Sequence, residues 1–230
     1  MPQPDDRADR ILDAVGELMV RLGYRKVTIE DIARQAGIGK GTVYLHWRTK
    51  ERLFESLVLR ESTNVIDELV SGLRRDPEEV RPHRFLRSSF LAVQRRPLMR
   101  ALVTGDTELL GNLKRSSAQL QGQEYTERYY ELITKYGLVR DDVPHLAFSM
   151  NAAVTGFYLV DNINPYLGGL DDDARADALA QTVRRAFEPA DGPDRATLTA
   201  AAAEISALFD DINATYRKWI YTTDPKPERT

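Results

Sequence analysis

The sequence predicts an all-α chain with a small N-terminal helix-turn-helix unit and a larger helical body. Residues 28–54, TIEDIARQAGIGKGTVYLHWRTKERLF, read as two short helices across a glycine turn and the start of a longer third one. Beyond them, apolar residues recur at helical spacing from residue 53 to residue 219. Proline or glycine punctuates these stripes at Asp76-Pro77, Pro97, Gly105 and Gly137. The chain has 230 residues, 42% apolar and 29% charged, enough for a small domain plus a larger one.

The first helix is expected over about residues 8–22, with Ile11, Val15, Leu18 and Leu22 on one face, and Gly23 ends it. Residues 1–7, with two prolines, form a short polar arm. Thr28 and Asp31 make a T-x-x-D capping box for the next helix, whose buried stripe is Ile29, Ile32, Ala33 and Ala36. Gly37 supplies the left-handed residue at its end. A second short helix follows over about residues 40–47, with Val43 and Trp47 inward.

The other side of that second helix is chemically odd. It carries Lys40, Gly41, Tyr44 and Leu45, with Thr42 and His46 at its margins and Arg48 just beyond. An interior Gly costs roughly 1 kcal/mol against Ala. Lys40 and Lys50 each fall in the first turn of a helix, where the macrodipole disfavours a cation. Phosphates of a nucleic acid would reconcile both features, because a Gly admits close approach and lysines draw the backbone. An ordinary helical hairpin with solvated charges is the bland alternative.

Charge distribution points the same way. The net charge is −3, yet residues 21–60 hold nine Lys and Arg against four acids, a balance of +5, which leaves −8 for the rest. A basic head on an acidic body confines affinity for polyanions to the head.

These residues carry a resemblance. T-I-E-D-I-A-R-Q-A-G, then G-K-G-T-V-Y-L-H-W, then T-K-E-R-L-F, after an amphipathic helix ending GYRKV, resemble the DNA-binding domain of the tetracycline-repressor (TetR) family of bacterial transcriptional regulators. The similarity covers about 45 residues, roughly a fifth of the chain. It departs at Gly39, where Ser or Thr is more usual, and at Trp47, where Phe is usual. It implies Lys40, Thr42, Tyr44, His46 and Lys50 as DNA contacts. The outward position of Gly41, Leu45 and Arg48 adds them to that set. It also implies that the fold is an N-terminal helix-turn-helix three-helix domain (1–48) followed by a larger helical ligand-binding and dimerisation domain (49–221). A polar tail, 222–230, closes the chain.

In the body, Thr49 caps a helix through Leu53, Phe54, Leu57, Val65, Leu69 and Leu73 that joins head to body. Leu86, Phe90 and Val93 form the stripe of the next helix, and a short one follows Pro97. A long pattern from Thr107 to Tyr136, interrupted near Gly111, carries Tyr125, Tyr129, Leu132, Ile133 and Tyr136 on one face. Residues 143–160 are apolar nearly all round, which requires burial on more than one side, against the body and a second subunit. The alanine-rich helix 172–187 permits close helix approach. By resemblance, this pair forms a four-helix interface in a homodimer. The last helix, about 195–221, spaces Leu198, Ala202, Ile205, Phe209, Ile212, Tyr216 and Trp219 by fours and threes, so it lies along a partner helix in its own body or the other subunit.

Other chemistries find no support in the sequence. Cysteine is absent, which fits a reducing cytoplasm and removes thiolate ligands and nucleophiles. His46, His83 and His145 are scattered, and Asp171-Asp172-Asp173 suits a helix start better than a cation. No cofactor, metal or enzymatic activity is expected, and no apolar run reaches the length of a membrane span. The expected partners are double-stranded DNA with a near-palindromic operator, a second copy of the chain, and a small apolar or aromatic ligand. By resemblance to the family's ligand-binding bodies, Phe90, Tyr129, Asn151 and Phe157 are candidates to line its pocket. The competing class is a helical interaction or scaffold protein whose helix-turn-helix contacts protein.

Overall fold

The computed structural model describes residues 4–110, 117–164, 166 and 169–222. Among these residues all regular structure is helical: α1 (Pro4–Leu22), α2 (Ile29–Gln35), α3 (Lys40–His46), α4 (Lys50–Arg75), α5 (Pro82–Gln94), α6 (Pro97–Thr104), α7 (Thr107–Leu110), α8 (Ser117–Lys135), α9 (Leu146–Ile163), α10 (Asp172–Phe187) and α11 (Arg195–Tyr221), with one 3-10 turn at Pro77–Val80. α1 starts four residues earlier than expected, at Pro4, a residue suited to the first turn because its missing N–H has no intrahelical partner there. The interruption expected near Gly111 and the polar tail from residue 223 lie outside the described residues.

Local stop and start signals act as the residues dictate. The Thr28 capping box is complete: Asp31 N donates to Thr28 Oγ1 at 3.2 Å, and Thr28 N donates to Asp31 Oδ2 at 3.3 Å. Gly37 (φ +66°), Gly105 (φ +70°) and Gly137 (φ +61°) take the left-handed conformation after α2, α6 and α8. Thr49, Asp171 and Asp194 cap α4, α10 and α11 through side-chain oxygens.

Two cores result. The head core gathers Ile11, Leu12, Val15, Met19, Ile32, Val43, Trp47, Leu53, Phe54 and Leu57, and it does not stop at residue 48. It also takes Leu98 and Ala101 of α6 and Ile212, Tyr216 and Ile220 of α11. One longer helix and two seven-residue helices do not cover a buried Trp and Phe by themselves, and elements from the body close the head. The body core is built from Leu69 and Leu73 of α4, Phe85, Phe90 and Val93 of α5, Tyr129 and Ile133 of α8, and facing residues of α10 and α11. The α5 stripe is wider than predicted: Phe85 is buried, whereas Leu86 packs only at the margin, because α5 lies between α4 and α10.

α4, at 26 residues, is a rod of about 39 Å that passes from one core to the other. α11 runs beside it, so the partner of the last helix lies within the same chain. α9 is the exception to good burial. Of its 18 residues only Met150 is fully buried, while Ala147, Phe148, Asn151, Ala152, Thr155 and Gly156 are exposed. The second layer demanded by its all-round apolar character is not supplied by this chain. α10 behaves differently: Ala176, Leu179, Ala180 and Val183 are buried, and its outward side carries Asp177, Gln181, Arg184 and Arg185. Its small residues thus serve the close approach to α5 and α9 within the subunit.

Candidate nucleic-acid interface

α3 is held from behind and open in front. Val43 is fully buried, and Trp47, which ends the helix, has its ring in the head core with Nε1 donating to Ser56 Oγ at 2.8 Å and to Ile220 O at 3.3 Å. On the outer side Lys40, Gly41, Tyr44 and Leu45 are exposed, and Thr42, His46 and Arg48 are half-buried around them. Leu45 exposes 74% of its surface and Tyr44 41%. A Cβ placed on Gly41 would meet nothing within 4 Å, so no internal packing calls for a glycine there.

The two lysines differ from their sequence-based expectation. Lys40 Nζ is paired with Glu30 of α2 and sits 5.9 Å from the Tyr44 ring centre. That hydrogen bond raises its pKa, so the cation at the helix start is balanced internally. Lys50 Nζ donates to Tyr24 O at 2.6 Å and lies 4.4 Å from the centre of the Tyr24 ring and 5.5 Å from that of Phe54. Burial pushes its pKa below the ordinary lysine value. Their helix-start positions are therefore explained without phosphate, and Lys40 would have to exchange Glu30 for DNA. Tyr24 is a junction in its own right. Burial and then the neighbouring Glu51 carboxylate push its phenol up to about 12, and its hydroxyl donates to Glu51 at 3.1 Å. Its backbone N–H donates to Leu109 O of α7 at 3.0 Å.

Sequence reasoning missed three of these supports. Glu30, ten residues from Lys40, offered no spacing signal. Ser56 did: it is a polar residue inside the apolar stripe Leu53, Phe54, Leu57, and it is fully buried. Tyr24 stood in the GYRKV run without an assigned role.

Of the four pocket candidates, Phe90 and Tyr129 lie in the body core, Phe157 packs against it, and Asn151 reaches its edge through Tyr130. Phe90 is fully buried, with its ring 4.8 Å from that of Tyr158. Tyr129 stacks on Phe85 at 5.4 Å and approaches Phe209 at 6.2 Å, and its hydroxyl is buried without a hydrogen-bond partner among the described residues. Burial raises its pKa. Phe157 is half-buried at the edge of the same core. Asn151 is exposed, donates to Tyr130 Oη at 3.0 Å, and lines an open cleft of about 750 Å³ between α8 and α9. Among the described residues no cluster of His, Asp or Glu could hold a metal, and no helix is long and apolar enough to cross a membrane.

A buried-backed α2–turn–α3 pair, a long connecting helix and an α-helical body place the chain among all-α proteins that carry an N-terminal helix-turn-helix. Residues 11–57 match the family model described as "Bacterial regulatory proteins, tetR family". The N-terminal segment is thus similar to the helix-turn-helix domain of that family of transcriptional regulators. The chain is 38% identical over 55 residues to the HTH-type transcriptional regulator YvkB of Bacillus subtilis, a match covering 24% of this chain and 29% of that protein. The first curated relatives are thus matched over about a third of their length. The fold extends further: a tetR-family regulator from Streptomyces coelicolor superposes with a TM-score of 0.55 at 20% identity, covering 95% of this chain and 90% of that one. NalD of Pseudomonas aeruginosa, the secondary repressor of the MexAB-OprM multidrug efflux pump, gives a TM-score of 0.51 at 21% identity over 81% of this chain and 98% of its own.

Proposed function

We propose that the chain is a cytoplasmic transcriptional repressor that binds a near-palindromic operator as a homodimer and is released by a small apolar or aromatic ligand. The observation that carries the DNA reading is the outward face of α3, where a glycine with no packing role, an exposed Tyr and an exposed Leu stand among cations. In this reading Lys40 and Arg48 meet phosphates, and Gly41 lets the backbone approach. Thr42, Tyr44, Leu45 and His46 face base edges, and Lys50 holds the start of α4 against the backbone. Dimerisation through α9 would place two α3 helices in successive major grooves, with half-site centres roughly 34 to 36 Å apart. Support for the dimer comes from the exposed apolar side of α9, with Phe148 76% and Ile163 77% exposed. Support for a ligand comes from the unpaired Tyr129 hydroxyl within the aromatic stack of Phe85 and Phe209. A ligand shifts the dimer towards a non-binding state only as far as its affinities for the two states differ.

The test is a gel shift on random-sequence duplex at two salt concentrations, followed by selection of sites from a random pool. The expected result is salt-weakened binding and a selected site with two-fold symmetry. Absence of binding at any salt concentration would sink this reading in favour of a helical protein-interaction module.

A further inference from the structure

The end of α11 reaches the recognition helix, and the contact is made by its backbone. The last four carbonyls of any helix lack intrahelical partners. Here two carbonyls of the final turn accept hydrogen bonds from the head. Ile220 O accepts from Trp47 Nε1 and from Ser56 Oγ, both at 3.3 Å, and Trp219 O accepts from the Arg52 guanidinium. Tyr221 Oη adds a bond to Asp9 Oδ1 of α1 at 2.6 Å. Trp47 is the residue that terminates α3, and its own N–H still bonds Val43 O at 2.9 Å, so fixing the indole fixes the C-terminal end of α3.

The other end of α11 belongs to the body. Leu198, Ala202, Ile205 and Leu208 are in the body core, and Phe209, half-buried between the two cores, stacks on Phe85 at 5.6 Å with the rings 6° from parallel. From Phe209 to Ile220 the helix holds no Gly or Pro, so it is a stiff rod of roughly 16 Å.

We propose that the last turn of α11 positions the recognition helix, with Trp47, Ser56 and Arg52 as the positioning residues, and that the Phe85–Phe209 stack is connected to α3 through this helix in parallel with α4. The functional meaning rests on the DNA-binding reading above; the mechanical connection does not. It makes α3 answer to the aromatic centre of the body along a single unbroken helix.

The experiment is hydrogen exchange with mass spectrometry on the full chain, comparing wild type with Trp47→Phe, Ser56→Ala, Arg52→Met and Phe209→Ala. Losing one of the docking bonds should speed exchange of the α3 amides about fivefold, with α2 amides changing less than about twofold. Phe209→Ala, at the seam between the two cores, should give the same α3 signature. Unchanged α3 exchange in Arg52→Met and Ser56→Ala, or a Phe209→Ala effect confined to the body, overturns the proposal. If Trp47→Phe does not fold, those three variants decide it. The same variants should bind random duplex about fivefold more weakly, and undiminished binding despite faster exchange overturns the positioning role. A wild-type chain that binds no DNA would remove the functional reading, while the exchange result still decides the connection.

Discussion

α3 and α9 each leave apolar side chains in solvent, but they do so in different company. On α3, Tyr44 and Leu45 stand beside Lys40 and Arg48, on a seven-residue helix in the basic part of the chain. On α9, Phe148, Ala152, Thr155, Gly156 and Ile163 are exposed with no Lys or Arg anywhere in the helix. An apolar surface rimmed by cations suits a polyanion whose base edges include methyl groups. An apolar surface of small and large residues without charge suits another protein face, and two-fold symmetry lets the same patch meet itself. Under the proposed function the two faces take different partners, and each can be broken separately.

The largest effect should come from α9. Phe148→Asp buries a charge in any symmetric interface built on this face, and because Phe148 is exposed in the single chain its own fold should be unharmed. Sedimentation equilibrium should show monomer, and operator affinity should fall by about a hundredfold or more because the two half-sites are no longer held by one molecule. A variant that stays dimeric would move the interface elsewhere. Next comes Lys40→Ala on α3. It should weaken binding to all sequences alike and flatten the log–log salt dependence by about 0.9, the contribution of one phosphate. An unchanged slope would leave Lys40 as a partner of Glu30 alone.

How much of this was readable in advance differs between the two faces for a physical reason. The head was legible because its signals are local: Thr28 and Asp31 are three residues apart, and Gly37 ends a helix that begins eight residues earlier. The inward Val43 and Trp47 followed from helical spacing alone. What the sequence left open depended on distant pairings. The Lys40–Glu30 and Lys50–Tyr24 contacts explain both lysines at helix starts without invoking phosphate, and neither has a spacing rule behind it. The partner of the last helix was equally open, since a four-and-three stripe states that a neighbour exists and not which one. The pocket candidates were chosen for aromatic character, and aromatic residues fill cores as readily as they line cavities. Phe90 is core, whereas Asn151 lies on an open cleft.

Gly41 sharpens the comparison by setting stability against binding. Open space around its added Cβ means that Gly41→Ala meets no clash, and it should stabilise the head by roughly 0.5 kcal/mol by restricting the unfolded chain. If the glycine serves backbone approach to DNA, the same change should lower affinity by about threefold to tenfold, seen as a raised urea midpoint with a weaker gel shift. An Ala variant that is more stable and binds as well would assign the glycine no role at the interface.

The smallest effect concerns His46, at the margin of the same face. Burial, and then the charge of Arg7, hold its imidazole below the ordinary value near 6.5. The unfolded chain therefore takes up a proton on His46 before the folded one does. Stability from this group is intact above pH 6.5 and is lost as pH falls from there through the lower folded value. His46→Gln should remove that component, so the difference in urea midpoint between wild type and variant should change between pH 7.5 and pH 5.5 in the direction that favours the variant in acid. Because His46 is only half-buried and solvent screens its charge, the change should be a small fraction of the total stability. A protonated His46 would also add a cation to the α3 face, so duplex binding by the wild type should strengthen over the same interval while that of His46→Gln does not. Opposite signs for folding and for binding are the expected signature of an imidazole facing phosphates, and loss of both together on acidification would place His46 in the head's packing only.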